Sequence, residues 1–118
     1  MAANECVFHH GEYRAIDYTA GADISGGEVV LLGNTTGATN GIAHSPIANG
    51  ALGSLAAGGG VYSGVNLNNA ANYAKVWWDN AVNKLTTVST NNAQMGWIVK
   101  GGGGGANSTC YFYHWPYV

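Results

Sequence analysis

The chain has 118 residues, of which 4 are Lys or Arg and 6 are Asp or Glu, so 8% carry a formal charge where roughly 25% is usual for a soluble domain. This length gives one domain with a sizeable core and excludes a multidomain enzyme, while 47% hydrophobic residues and a net charge of −2 lie outside the regime of disordered chains. Four scattered cations, Arg14, Lys75, Lys84 and Lys100, cannot form the phosphate-neutralising stripe that nucleic-acid binding needs.

Along the chain, Met1 to Glu5 holds no basic segment, and the longest aliphatic run, Val29-Val30-Leu31-Leu32, is too short for a leader core or a membrane span. Neither secretion by a leader nor membrane insertion is expected. Glu12 to Thr19 alternates as a strand does. Glu28 to Leu32 reads as an apolar strand ended by the turn Gly33-Asn34-Thr35-Thr36-Gly37, and Gly41 to Ser45 as the next, stopped by Pro46. A Gly/Ala stretch leads into an alternating strand over Gly60 to Leu67. Asn68 to Ala74 is the single helix candidate. Lys75 to Asp79 and Lys84 to Val88 flank Asn80-Ala81-Val82-Asn83, a hairpin turn. Met95 to Lys100 and Thr109 to Trp115 flank Gly101 to Gly105. Both that run and Gly58-Gly59-Gly60 read as flexible hairpin tips. At least seven short strands at close spacing predict an all-β domain, a small barrel or sandwich with Gly-rich loops. A faint echo, an apolar strand followed by a Gly-started strand at residues 26–43 and again at 74–99, suggests two similar β-meanders in one barrel.

The residues also point to contact rather than chemistry. A surface so poor in charge repels other copies weakly, which suits a chain covered by neighbours. Residues 2–11, with Val7, Phe8 and His9, suit either an arm that adds a strand to a partner sheet or the first strand of the chain's own barrel. Tyr111-Phe112-Tyr113-His114-Trp115-Pro116-Tyr117 packs five aromatics into seven residues. Strand alternation turns Phe112 and His114 one way and Tyr111, Tyr113 and Trp115 the other, so one face serves the core and the other a neighbour. Trp77 and Trp78 likewise face opposite ways, one into the core and one outward. Tyr13, Trp77, Trp78, Tyr111, Tyr113, Trp115 and Tyr117 therefore join Val7, Phe8 and His9 as candidate contacts with a neighbouring subunit or partner.

Weaker constellations are Cys6 with His10 and Cys110 with His114, whose spacing matches zinc ligands only if both segments turn, since strand residues four apart are about 13 Å apart. Buried thiols and hydrogen-bonded histidines are the plainer reading, and no cofactor is expected. Two cysteines fit a reducing cytoplasm, which disfavours a Cys6–Cys110 disulfide. No Gly-x-Ser-x-Gly elbow, HExxH or Gly-Lys-Ser/Thr loop is present, so no enzyme class is indicated. Asn34-Thr35-Thr36 and Asn107-Ser108-Thr109 match glycosylation acceptors, which matter only in a eukaryotic secretory route.

The order Ala20 to Val30, then Gly41-Ile42-Ala43, then Ala57 to Val65, then Lys75-Val76-Trp77-Trp78-Asp79, Lys84-Leu85-Thr86-Thr87 and Met95-Gly96-Trp97-Ile98-Val99 resembles the capsid decoration, or cement, proteins of tailed bacteriophages. The resemblance covers roughly residues 12–100; within the arm at 1–11, Cys6 to His10 depart from the pattern, as does the aromatic tail that follows the five glycines in the segment 101–118. It implies a β-barrel-like or tulip-like domain that forms a homotrimer on the outer surface of the head. There it clamps adjacent major coat (capsid) subunits against packaged DNA, in virions assembled in the host bacterial cytoplasm. The rival reading is a glycan- or receptor-binding β-module, because Trp and Tyr beside Asn and Gly also stack on sugars.

Overall fold

The computed structural model describes residues 5–33 and 39–117. Eight strands follow in order: β1 Val7–Thr19, β2 Val29–Leu32, β3 Thr39–Ile42, β4 Leu52–Asn66, β5 Lys75–Asp79, β6 Lys84–Thr86, β7 Ala93–Lys100 and β8 Ser108–His114. No helix occurs among the described residues, and the chain is all-β. The turn expected at 33–37, with its Asn34 acceptor, falls largely outside the described residues, as do residues 2–4 of the arm.

β4 organises the molecule. Its C-terminal half pairs antiparallel with β8 from Val61↔Tyr113 to Asn66↔Ser108, and its last residue meets β6 in a parallel pair, Asn66↔Leu85. β6 continues to β5, β5 to β7, and β7 back to β8, so β4-β6-β5-β7-β8 closes into a five-stranded barrel. Closure removes the exposed edges that an open sheet of this size would present. The N-terminal half of β4 leaves the ring, and β1 runs along both halves of β4 in nine partner pairs from Val7↔Ser63 to Thr19↔Leu52. The β2–β3 hairpin docks beside it through Ile42↔Ala56.

Alternation fills the barrel. Val76 and Trp78 of β5, Leu85 of β6, Met95 and Ile98 of β7 and Cys110 and Phe112 of β8 all point inward and are fully buried. Fully burying each large apolar side chain contributes on the order of 1.5–3 kcal/mol. A second cluster, Ala20, Ile24, Val30, Ala43, Ile47 and Leu55, fills the space under the β2–β3 hairpin, pinned by the bridge Ile24↔Ile47.

Three expectations are corrected. Gly58-Gly59-Gly60 is the middle of β4, not a hairpin tip. All three have positive φ (142°, 90° and 84°), and a Cβ on Gly59 would lie 2.4 Å from the Glu12 carbonyl oxygen. Only glycine lets β1, itself bulged on either side of Gly11, cross so close. The helix candidate at 68–74 is a pair of turns, because Asn66 captures Ala70 through both its amide and its carbonyl while Asn69 and Tyr73 take left-handed φ of 56° and 69°. The Gly101–Gly105 run is clamped: Gly102 N donates to Asn72 Oδ1 and Gly105 N to Asn69 Oδ1, each at 2.8 Å, and Gly103 N to the Ala70 carbonyl at 2.9 Å. The internal echo corresponds to two antiparallel pairs, β2 with β3 and β5 with β7. Only the second lies in the barrel wall.

Candidate functional site

The outer face of β7 and β8 carries a row of aromatic rings. Because Phe112 and His114 are drawn into the barrel, Tyr111 and Tyr113 face outward and remain half-buried. Antiparallel register sets Trp97 opposite Tyr113, with ring centroids 4.9 Å apart. Tyr113 stacks on Trp115 at 6.2 Å, and Trp115 meets Tyr117 edge-on at 5.0 Å. Trp115 and Tyr117 are exposed at 38% and 41%. Beyond the strand, the tail is strapped down. Trp115 N donates to the Met95 carbonyl at 2.8 Å, Thr39 Oγ1 to the Pro116 carbonyl at 3.3 Å, and the Tyr117 hydroxyl to the Ala57 carbonyl. The Tyr117 ring lies on Gly58, where a Cβ would come within 2.9 Å of it. At the other end of β8, Tyr111 lies under Lys100 Nζ at 5.6 Å and beside His9 at 4.9 Å.

A second cluster sits where β1 pairs with β4, beside His44 just after the end of β3. Phe8 packs against Tyr13, His44 and Tyr62 with centroids 5.4, 4.9 and 5.3 Å apart, and His44 Nε2 lies 2.7 Å from the Tyr62 hydroxyl. Burial lowers the His44 pKa from its ordinary value. For Tyr62, burial, then Tyr13, then Cys6, raises it. Phe8 is thus engaged within its own chain. Around it Val7, Tyr13 and Ile16 of β1 are exposed at 41%, 41% and 39%, and Leu52 of β4 at 70%. Val7 to His10 pair with Ser63 to Val61, so from Val7 onward the arm is the first strand of its own chain.

Inside the barrel the chemistry is quiet. Asn40 Nδ2 donates to the Gln94 carbonyl at 2.7 Å, which turns Asn40 Oδ1 toward His114 and makes His114 Nε2 the donor of their 2.8 Å bond. His114 Nδ1 is left as a bare lone pair with no hydrogen-bond partner among the described residues. Burial first, then His44, pushes the His114 pKa down to about 3. Cys6 and Cys110 are free, buried thiols. Burial raises both, Cys110 to about 11. Cys6 and Cys110 lie in the same core cluster, close enough to interact electrostatically, but His10 is exposed on β1, so the four zinc candidates do not form one site. Among the described residues no group of three His, Cys, Asp or Glu is placed to hold a metal.

Trp78 is also corrected. It is fully buried, with Nε1 donating to Asn80 Oδ1 at 3.1 Å, and offers no surface to a partner. Its neighbour Trp77 is the outward, half-buried member of the pair. Trp97 and His44 were not singled out from the sequence. Trp97 becomes part of the row only through the β7–β8 register, and His44 joins its cluster only because Phe8 and Tyr13 of β1 pack against it.

The result is a closed barrel whose outer face carries a row of aromatic rings. The chain belongs to the phage cement protein family, whose profile matches residues 9–112, and this places it with the phage capsid. The match reaches past 12–100 at both ends, into β1 and most of β8. No curated protein sequence and no solved structure matches the chain.

Proposed function

We propose that the protein is a non-catalytic clamp that forms a homotrimer on the outer surface of the phage head and bridges adjacent major coat subunits. The reading rests on one observation above the others: the row Trp97, Tyr113, Trp115 and Tyr117, continuous over the β7–β8 face and the strapped tail. Large rings held in place bury much area at small entropic cost, which is why aromatics anchor interfaces. A clamp needs more than one contact surface, and the exposed Val7, Tyr13, Ile16 and Leu52 on the β1–β4 ribbon supply another. Weak contacts then suffice, because three on one rigid trimer raise the effective concentration of each by orders of magnitude. Assembly in the host bacterial cytoplasm fits two free thiols.

Light scattering of the purified protein and its co-sedimentation with undecorated heads test this reading. Trimers in solution with saturable uptake onto heads are expected. Monomer at high concentration together with no uptake overturns it.

A further inference from the structure

Beside the barrel, the segment after β4, the β5–β6 turn and residues 87–92 line a cavity of about 630 Å³, within the size range of small-molecule sites. Four of its polar side chains are fixed by the protein itself, and each retains one polar atom after that fixing. Asn68 Oδ1 accepts from Thr86 Oγ1 and from Thr87 N, which leaves Asn68 Nδ2 as a donor. Asn80 Oδ1 accepts from Trp78 Nε1 at 3.1 Å, which leaves Asn80 Nδ2 as a second donor. Asn92 Nδ2 donates to the Val88 carbonyl at 2.9 Å, so its Oδ1 is an acceptor. Asp79 Oδ1 accepts from Ala81 N at 3.0 Å, so Oδ2 is another. The result is two donors and two acceptors whose orientations are set before any ligand arrives, and such preorganisation lowers the entropic cost of binding.

The lining selects the ligand class. Among the described residues it contains no Lys, Arg or His, so an anion finds no counter-charge there, and the one carboxylate among them, Asp79, is too few oxygens for a bare divalent cation. A neutral polyhydroxylated ring fits both halves of the lining. Each hydroxyl donates and accepts, matching the mixed amide and carboxylate set, while Leu67 and Val88 offer apolar surface to the C–H face of the ring. We infer that this cavity binds a neutral hexose, as a free sugar or as a unit of a glycan chain. The site is separate from the aromatic row and does not depend on the clamp reading.

The test is a titration of the full-length protein with glucose, galactose, mannose, maltotetraose and mannotetraose. The side-chain amide signals of Asn68, Asn80 and Asn92 and the Trp78 indole N–H are followed by NMR, with glucose 6-phosphate as an anionic control. Saturable shifts of those signals with at least one neutral sugar are expected, at a dissociation constant on the order of 1 mM, with the phosphate ester binding more weakly. Asn80→Ala and Asn92→Ala should each weaken binding roughly tenfold while the backbone amide spectrum keeps its dispersion. A tetraose binding much more tightly than its monosaccharide supports a chain-reading site, and equal affinity supports a single-unit site. No shift at the cavity with any of the five sugars, or shifts confined to the Trp97 and Trp115 indoles, overturns the inference.

Discussion

Asn40 and His114 lie 74 residues apart in the chain and meet through a 2.8 Å hydrogen bond in which both side chains are wholly buried. The bond ties β3 to β8. Because Asn40 presents its oxygen, the imidazole is held in the neutral Nε2–H form, and a second proton on Nδ1 would sit on a buried atom that no acceptor among the described residues faces.

Stability should therefore fall on acidification. The folded-state pKa of His114 is pushed down to about 3, below the ordinary value of about 6.5. Between those values the unfolded chain binds a proton that the folded chain refuses, so folding free energy is lost as pH drops from about 6.5 toward 3. The slope for this one group is ~1.4 kcal/mol per pH unit. His44, shifted in the same direction, adds to the loss. Urea midpoints at pH 7, 6, 5 and 4 would reveal the slope, and His114→Gln should flatten it. An unchanged slope in that variant would assign the acid sensitivity elsewhere.

Replacing Tyr113 and Trp115 with Ser should impair head uptake and self-association more than protomer folding. Trp115 is 38% exposed and its main ring contacts are with other outward-facing rings, so a stability cost of about 1 kcal/mol is expected. Binding should drop by tenfold or more, as hot-spot residues do. Thermal melts alongside co-sedimentation separate the two, and equal loss of both would show that the row serves the fold.

Gly96→Ala should be among the most damaging single changes. Gly96 has φ +144° and an added Cβ would stand 1.8 Å from the Tyr113 carbonyl oxygen, so β7 and β8 must part at the register that aligns Trp97 with Tyr113. A loss on the order of 3 kcal/mol is expected. Gly21→Ala, with nothing within 4 Å of the new methyl and no positive φ, is the matched control and should stay within about 0.5 kcal/mol of the parent.

The thiols should be silent in the native protein. Cys6 and Cys110 are buried and their pKa values are raised by burial, so little thiolate exists at neutral pH. Labelling with an aromatic disulfide reagent should proceed only as fast as global unfolding and accelerate with urea. Fast labelling in buffer alone would mean that the barrel end near Cys6 opens locally.

The glycine run should be ordered by its asparagines. Asn72→Ala removes the acceptor of Gly102 N, so the Gly102 amide should exchange with solvent at least about tenfold faster. The melting temperature should change little. Exchange unchanged in the variant would show that the loop is held by other contacts.

Much of this could be read along the chain, and the parts that could not have physical reasons. β5 is legible because Val76 and Trp78 alternate with Lys75 and Trp77, and the same alternation in β8 separates buried Phe112 and His114 from outward Tyr111 and Tyr113. The first half of β4 is not legible. Ala56 to Gly60 have poor strand propensity and form a strand only because β1 lies across them. Nor does anything near Gly101 to Gly105 announce order, since the clamping asparagines lie 30 and 36 residues away. Adjacent tryptophans must split between two faces, but which of Trp77 and Trp78 turns inward depends on the pairing of β5 with β6 and β7. The cavity asparagines look like ordinary turn formers in sequence, and their orientation is fixed by tertiary hydrogen bonds.

The position of β4 also bears on synthesis. Its residues 52–66 pair with β1, made before it, and with β8, made almost last. While the nascent chain is still growing, the ribbon with β1 can form, but the edge from Val61 to Asn66 waits for Ser108 to Tyr113 to leave the ribosome. A chain that stalls short of Ser108 therefore carries an open strand edge beside a half-built apolar barrel, the kind of surface that captures chaperones or seeds aggregates.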